Sequence, residues 1–408
     1  MKKILIACQC ATNKGDRAIA EYLISQLKCY PNVKIMLSTT EPSLWDIPSY
    51  KDVEVIGCGY RHFKYFSKKG FVNKIVRELE FLFYRYVCFT ELLLGIKLIV
   101  CGIVSRSFIK KVQEADLVIV TGGHHITSIR NKNALFAITY DISLISRCSS
   151  KYVLWSQTIG PLVFTSNRIK DFFGKIIRNA ESVYLRDANS FDCINSLYGQ
   201  IDNLRKSYDS VFGFGSVVFD NYNNRKQRIG VSIFNGLGKA KEANKHILSL
   251  LQYCSKIGYE IYFFRMEHDK KELEDINDLV SLIPDTSRVH IFPFNTSTQQ
   301  HLEMVASCNI FVGYKTHSVI MALTTATPLI GICYHNKTRD FMSDYDLQQY
   351  AIDDTNIGEG ELQEAFTSII NRASDIHDIE QKHSLVLSER IKRDFEEMMK
   401  RNFASETL

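Results

Sequence analysis

The sequence predicts an α/β protein with two doubly wound domains, each a parallel sheet covered by helices. Two observations predict it. Short apolar runs alternate with helical stretches along most of the 408 residues, and the alternation restarts after a polar stretch at 200–228. We therefore expect a first domain over 1–215, a second over 216–380, and a C-terminal helix within 381–408 that packs back on the first domain.

Apolar runs bounded by turn residues predict the strands in chain order. In the first domain they fall at 2–10, 33–37, 53–57, 115–121, 152–156 and 183–185. In the second domain they fall at 228–233, 260–264, 289–292, 310–312 and 329–334. The stretch 200–228 is expected to be the linker between the domains.

Residues 60–112 interrupt the alternation and predict a helical insertion in the first domain. Residues 81–104 are long enough to span a bilayer, but Arg85, Glu91 and Lys97 spread around a helix, which favours two buried or surface-lying helices. One interpretation is a basic amphipathic pair that docks on a membrane carrying lipid-linked sugars. The alternative is that the rest of the domain covers the apolar stripe.

Composition favours a cytoplasmic protein with reduced thiols. The net charge of +5 is too small for a nucleic-acid-binding signature, and the 11 cysteines are scattered without a CxxC pair. The apolar run after Lys2-Lys3 is about five residues, shorter than the roughly 7–15 of a signal peptide. We expect a cytoplasmic location, with peripheral contact at the inner face of the cell membrane if the insertion docks there.

The stretch 310–337 carries the main candidate site. It is predicted to form a strand, a polar turn with Lys315 and His317, a helix capped by a Ser or Thr side chain, and a second strand followed by Lys337. These residues then lie at the carboxyl ends of parallel strands, where open α/β sheets bind ligands. An imidazole between two lysines at a helix N-terminus suits an anionic substrate that needs a proton moved. The alternative is a polar His in a helix cap.

Three strand ends of the first domain carry further candidates. Asn13 and Asp16 suit a sugar hydroxyl, although Asp16 could instead cap the next helix; the turn lacks the GxGxxG and Walker patterns. The Gly122-Gly123 turn lets a ligand approach the backbone closely, and His124 follows it without a third metal ligand at a recognisable spacing. Arg186 suits a carboxylate or phosphate, with a salt bridge to Asp187 as the alternative.

Seven motifs in one order give the chain a resemblance to the polysaccharide pyruvyl transferase family over about residues 4–345. They are Asn13-x-Gly15-Asp16, Gly122-Gly123, Gln157-x-x-Gly160-Pro161, Arg186-Asp187-x-x-Ser190, Lys315-Thr316-His317-Ser318, Pro328 and Tyr334-x-x-Lys337. The resemblance implies two Rossmann-like domains facing a cleft, as in GT-B glycosyltransferases. It also implies transfer from phosphoenolpyruvate to two hydroxyls of a sugar in a surface polysaccharide precursor, such as that of a capsule or exopolysaccharide, with ketal formation and release of phosphate. Two positions depart from the family pattern: Lys315 replaces the usual Arg, and His124 the usual third glycine.

Ketal formation from phosphoenolpyruvate needs a proton on its methylene carbon and cations on its carboxylate and phosphate. His317 is the predicted general acid and base. The predicted donor-binding residues are Lys337, Lys315, Arg186, Arg168 and Ser318. The predicted acceptor-binding residues are Asn13, Gly15, Asp16, Gly122, Gly123 and His124. Phosphoenolpyruvate is a co-substrate, and the scheme needs no cofactor, metal or nucleic acid.

Two other functions stay open. A nucleotide-sugar glycosyltransferase would use the same helix N-terminus for a diphosphate. Residues 310–337 show no acidic residue to grip its ribose or sugar, and a pair of glutamates beside the anion site would favour it. A scaffold or binder of lipid-linked glycans, without catalysis, would use residues 60–112 instead.

Overall fold

A computed structural model describes residues 1–59, 106–128, 134–164, 166–215, 222–234, 239–334 and 336–403. The chain divides into two compact units. Unit 1 comprises Met1–Ala11, Leu23–Asp209 and Asp394–Leu408, and unit 2 comprises Thr12–Tyr22 and Ser210–Arg393. The main division therefore follows Asp209, where the sequence predicted it after residue 215, and a short N-terminal segment groups with unit 2.

Unit 1 is built on a seven-stranded parallel sheet with the order β3-β2-β1-β4-β5-β6-β7. Its strands are β1 (Lys2–Gln9), β2 (Val33–Thr39), β3 (Glu54–Gly57), β4 (Leu117–Val120), β5 (Tyr152–Gln157), β6 (Ser182–Leu185) and β7 (Leu204–Lys206). The helices along this part of the chain are α1 (Lys14–Leu27), α2 (Arg106–Glu114), α3 (Ala134–Cys148), α4 (Asn167–Asn179) and α5 (Ala188–Tyr198). Every residue of β4, β5 and β6 is buried, as expected for strands covered on both faces.

Unit 2 is built on a six-stranded parallel sheet with the order β10-β9-β8-β11-β12-β13. Its strands are β8 (Lys226–Ser232), β9 (Glu260–Phe264), β10 (Val289–Phe292), β11 (Cys308–Gly313), β12 (Leu329–Cys333) and β13 (Ala351–Asp353). The helices that follow β8 are α6 (Lys239–Lys256), α7 (Lys270–Val280), α8 (Thr298–Ala306), α9 (Thr316–Thr324), α10 (Asn336–Ser343), α11 (Glu361–Asn371) and α12 (Ala373–Phe403). Both sheets reverse strand order once, between β1 and β4 in unit 1 and between β8 and β11 in unit 2.

The predicted α/β class with two doubly wound sheets is confirmed. The chain passes from unit 1 to unit 2 after Asp209, within the stretch 200–228 predicted as the linker, and this stretch also contains regular structure. Residues 200–228 contain the edge strand β7, a 3₁₀ helix at Ser210–Phe214 and the start of β8. The edge strands β7 and β13 have three residues each and escaped prediction, because so short a run carries little hydrophobic periodicity.

The C-terminal helix α12 begins at Ala373, earlier than predicted, and has 31 residues. Its residues from Asp394 onwards belong to unit 1. There Asp394 accepts a hydrogen bond from the Ser207 hydroxyl at 2.6 Å, and the ring of Phe395 meets that of Trp155 edge to face. This part of α12 thus packs on the sheet of unit 1.

Most of the predicted insertion lies outside the described residues, which resume at Arg106. The part that is described, α2, buries Phe108 and Val112 in the core of unit 1. None of the described helices combines the length and apolar character needed to cross a membrane.

Candidate active site at the carboxyl ends of the strands

The carboxyl ends of β8 and β11 lie side by side in unit 2, where the strand order reverses. Ser232 pairs with Gly313 in the last register position of the two strands. The Ser232 hydroxyl accepts the Tyr314 N–H at 3.1 Å and donates to the Ser318 hydroxyl at 2.5 Å. Ser318 in turn donates to the Lys315 carbonyl at 2.7 Å and is buried. Through these bonds Ser318, which was predicted to bind phosphoenolpyruvate, joins the start of α9 to β8.

The N-termini of α9 and α10 lie next to each other. Lys315 is the N-cap residue of α9 and makes no side-chain cap bond, so the predicted Ser or Thr cap is wrong. The Thr316 hydroxyl lies 3.2 Å from that of Thr338 in the first turn of α10. Lys337, the second residue of α10, is half-buried beside them. Backbone N–H groups at two helix N-termini and a lysine therefore meet at this edge, an arrangement that attracts anions.

A third helix N-terminus, that of α1, lies against His317. A Cβ atom on Gly15 would lie 1.9 Å from His317 Cγ, so the imidazole packs directly on the backbone of the first turn. The Asn13 side-chain oxygen caps this helix by accepting the N–H groups of Gly15 at 2.9 Å and Asp16 at 3.2 Å. The alternative that Asp16 is the cap is wrong. Because this segment belongs to unit 2, three residues predicted to bind the acceptor lie in the unit that carries His317.

A buried lysine anchors the start of α1. Lys14 Nζ donates to the carbonyls of Phe294, at 3.2 Å, and Thr296. The Lys14 N–H donates to the Met266 carbonyl at 2.8 Å. Burial lowers the pKa of Lys14 from 10.5 to about 8. These bonds fix the helix terminus that carries Gly15.

Two glutamates bind the Lys315 ammonium, a pairing that the sequence did not reveal. Its Nζ lies 2.9 Å from a carboxylate oxygen of Glu267 and 2.9 Å from one of Glu272. Glu272 is buried and also accepts the N–H groups of Met266 and Glu267. Both glutamates follow β9 in the sequence, so their position at this sheet edge could be predicted. Their shared partner Lys315 could not, because it lies more than 40 residues away along the chain. The charge of Lys315 is therefore balanced within the protein.

In unit 1, the glycine turn after β4 packs against the protein's own backbone. A Cβ atom on Gly122 would lie 1.7 Å from the Ser156 carbonyl oxygen. The Gln157 side-chain amide donates to the carbonyls of Val120 and Thr121 at 3.1 and 3.0 Å. A ring nitrogen of His124 lies 2.8 Å from the Gly160 carbonyl. These contacts hold the ends of β4 and β5 together and account for Gly122 without a ligand.

Arg186 is also committed within unit 1. Its Nε donates to the Thr158 hydroxyl at 2.8 Å, and its guanidinium pairs with the buried carboxylate of Asp209. The alternative partner, Asp187, instead caps α5 by accepting the Ser190 N–H at 2.8 Å. Asp209 lay in the predicted linker, where no pattern marks it as a partner. The Arg-Asp-x-x-Ser motif is thus explained by an internal ion pair of Arg186 and by the cap that Asp187 forms on α5.

The predicted site residues fall into two groups. Unit 2 contains His317, Lys315, Lys337, Ser318, Asn13, Gly15 and Asp16. Unit 1 contains Gly122, Gly123, His124, Arg186 and Arg168, the last exposed in the first turn of α4. Across the part of the chain that the structure describes, no three His, Cys, Asp or Glu side chains are grouped to hold a metal ion.

Comparison with known proteins supports a family and a fold. The family described as polysaccharide pyruvyl transferase matches residues 13–336, from the cap of α1 to the first residue of α10. Three similar solved structures are S. aureus MnaA with UDP, a glycosyltransferase from Rickettsia africae, and Anabaena HepE with UDP-glucose. Their TM-scores are 0.58, 0.54 and 0.52, and their sequence identities 11%, 12% and 12%. The matches cover 98%, 99% and 98% of this chain and 96%, 99% and 99% of the others. At these identities they show the GT-B-like fold alone.

Proposed function

The chain belongs to the polysaccharide pyruvyl transferase family, and we propose that it transfers a pyruvyl group from phosphoenolpyruvate to two hydroxyls of a sugar in a surface polysaccharide precursor. The products are a pyruvate ketal and phosphate. The observation that supports this best is the His317 imidazole packed on the first turn of α1, in the unit where the N-termini of α9 and α10 also meet. A donor with two anionic groups and a carbon to be protonated suits such a site.

The donor is proposed to bind through backbone N–H groups at the helix N-termini and through Lys337. Charge-assisted hydrogen bonds of this kind contribute about 1.5–3 kcal/mol each. Lys315 acts differently from the sequence-based expectation, since Glu267 and Glu272 balance its charge and it holds the start of α9 in place. Arg186 bound to Asp209 is likewise a weaker candidate for the donor than Lys337.

The proposed chemistry uses His317 as the acid that protonates the methylene carbon of phosphoenolpyruvate. This makes the neighbouring carbon electrophilic, and one sugar hydroxyl attacks it. Phosphate then leaves and the second hydroxyl closes the ring. General acid–base catalysis of this kind contributes roughly 10²–10⁴ in rate.

The acceptor is proposed to be a sugar carried on a lipid at the inner face of the membrane. That proposal depends on residues 60–112, of which 60–105 lie outside the described residues. Of the polar acceptor candidates, Asp16 is the one proposed here, in unit 2. The Asn13 side-chain oxygen already caps α1, and a ring nitrogen of His124 in unit 1 lies 2.8 Å from the Gly160 carbonyl.

A nucleotide-sugar glycosyltransferase is the second candidate, because Glu267 and Glu272 form the pair of glutamates that would favour it. Both bind Lys315, however, and Glu272 also accepts two backbone N–H groups. Glu272 therefore has both carboxylate oxygens bound inside the protein, and one oxygen of Glu267 is held by Lys315. Together with the family match, this leaves pyruvyl transfer the better supported function.

The test is product analysis with phosphoenolpyruvate and a panel of p-nitrophenyl pyranosides. We expect one phosphate released per ketal methyl group seen by NMR, and a loss of at least about 100-fold in a folded His317→Ala variant. Near-normal transfer by His317→Ala would contradict the assigned role. Consumption of a UDP-sugar without phosphoenolpyruvate would support the glycosyltransferase.

A further inference from the structure

Two carboxylates and two cations meet at Lys315. Glu272 is buried, its two oxygens bind Lys315 at 2.9 Å and the Glu267 N–H at 2.9 Å, and it also pairs with Arg265 at 3.9 Å. Glu267 binds the same ammonium, but 32% of its side chain is exposed. Glu267 is thus the carboxylate of this pair that reaches solvent at the carboxyl edge of the sheet.

The backbone of Glu267 is held in place on both sides. It forms an antiparallel bridge with Asn13. Two backbone hydrogen bonds flank the bridge, from Lys14 N–H to Met266 and from His268 N–H to Thr12, both at 2.8 Å. A carboxylate on so constrained a backbone is preorganised, which is what catalysis asks of an acid–base group.

Two separate connections bring Glu267 close to His317. Its bridge partner Asn13 caps α1 two residues before Gly15, whose backbone lies against the imidazole. Its ion-pair partner Lys315 precedes His317 by two residues on the other strand end. Two short series of contacts within unit 2 therefore link a carboxylate whose side chain is 32% exposed to a half-buried imidazole.

The proposed reaction moves more protons than one imidazole can move at once. Two sugar hydroxyls each lose a proton, the methylene carbon gains one and the departing phosphate gains the other. In the first step an acid must protonate the carbon while a base deprotonates the attacking hydroxyl. His317 as the acid leaves the place of the base unfilled.

Building on the proposed function, we propose that Glu267 is this second acid–base residue. In the first step His317 gives its proton to the methylene carbon, Glu267 takes one from the first hydroxyl, and a carbon–oxygen bond forms. In the second step the bond between the same carbon and the phosphate oxygen breaks, and Glu267 gives its proton to the departing phosphate. The second hydroxyl then bonds to this carbon, and His317 takes its proton as the ring closes. Both residues return to their starting protonation states, so the cycle is balanced.

The test compares Glu267→Gln with Glu303→Gln, a control on α8 whose exposed carboxylate accepts a hydrogen bond from Gln299. Glutamine keeps the shape of Glu267 and removes its basicity. We expect Glu267→Gln to lower kcat about 100-fold or more, with the KM for phosphoenolpyruvate within about threefold and the melting temperature unchanged. The acid limb of the pH–rate profile should flatten, and the control should behave as the wild type.

The charged groups around Glu267 decide how the pH profile is interpreted. Lys315 and Glu272 bind in its network, Arg265 donates to its carbonyl, and the segment opposite carries Lys14. If Glu267 only positioned Lys315, Glu267→Gln would raise the KM for phosphoenolpyruvate and leave the shape of the pH profile intact. That result, or a kcat within about threefold of the wild type, would overturn the proposal. A wild type that forms no ketal would overturn the proposed function. A wild type that forms the ketal beside an unaffected Glu267→Gln variant would overturn only the role of Glu267.

Discussion

The two sheet edges of this protein have the same topology and different contents. In unit 1, Arg186 is balanced by Asp209, and Gly122 is packed on the backbone of Ser156. In unit 2, His317 and Lys337 are half-buried among helix N-termini. The motif residues of unit 1 thus have identified partners inside the protein, whereas His317 and Lys337 are the residues proposed to meet the donor.

The comparison shows that the ion-pair partners of a charged residue at a strand end must be identified before the residue is assigned to a ligand. Removing one member of a buried ion pair costs about 3–5 kcal/mol because the other charge stays buried. A side chain placed for a ligand should affect binding or rate with little effect on stability. Substitutions in the two units therefore separate the two roles.

The largest effect is expected for Asp209→Ala, which leaves the Arg186 guanidinium buried without its carboxylate. We expect the free energy of unfolding to fall by about 3–5 kcal/mol, measured by denaturant titration. Adding Arg186→Met should recover part of the loss. An Asp209→Ala variant of normal stability that no longer binds phosphoenolpyruvate would move Arg186 into the ligand-binding class.

Gly122→Ala should destabilise by about 3 kcal/mol, because its Cβ would meet a backbone oxygen at 1.7 Å. Gly57→Ala, in β3 of the same sheet, is the matched control, since nothing lies within 4 Å of its Cβ position. Thermal unfolding of both variants checks this. Equal melting temperatures would mean that the β4–β5 contact is looser than described.

Gly15→Ala should affect both stability and rate, because its Cβ would lie 1.9 Å from Cγ and 2.5 Å from Cβ of His317, a contact that rotation of the imidazole cannot relieve. Stability should fall by about 1–3 kcal/mol, as for other overpacked sites, and displacement of the imidazole should lower kcat about 100-fold. Steady-state kinetics beside a melting curve measures both. Full activity in Gly15→Ala would contradict the assignment of His317.

A smaller effect, on the pH dependence of stability, is expected from Lys14. Burial lowers its pKa from 10.5 to about 8, so between these values the unfolded state binds the proton and the folded state does not. Stability should therefore rise from about pH 8 towards pH 10, by up to about 3 kcal/mol. The unfolding free energy of the wild type should therefore rise relative to that of Lys14→Met over that range. A difference independent of pH would contradict the burial of a shifted lysine.

The sequence predicted the strands and the position of the candidate site better than it predicted the side-chain contacts at that site. The bounds of β9 and β10 agree with the prediction, because each is an apolar run between polar residues. The strand–helix–strand pattern likewise placed Lys315, His317 and Lys337 at one sheet edge. The glutamates on Lys315 and the Arg186–Asp209 pair escaped, because partners far apart in sequence are set by tertiary packing. An Asp16 cap for α1 was left as an alternative and Asn13 forms the cap instead, since Asn and Asp favour that position about equally.

The most direct test of the account is a calorimetric titration of phosphoenolpyruvate into wild type and Lys337→Ala, with UDP-glucose in parallel. The account predicts saturable binding of phosphoenolpyruvate that weakens at least about tenfold in the variant, as expected for one lost charge-assisted hydrogen bond. Equal affinity in both proteins, or binding of UDP-glucose in place of phosphoenolpyruvate, would contradict the assignment of the donor to the strand edge of unit 2.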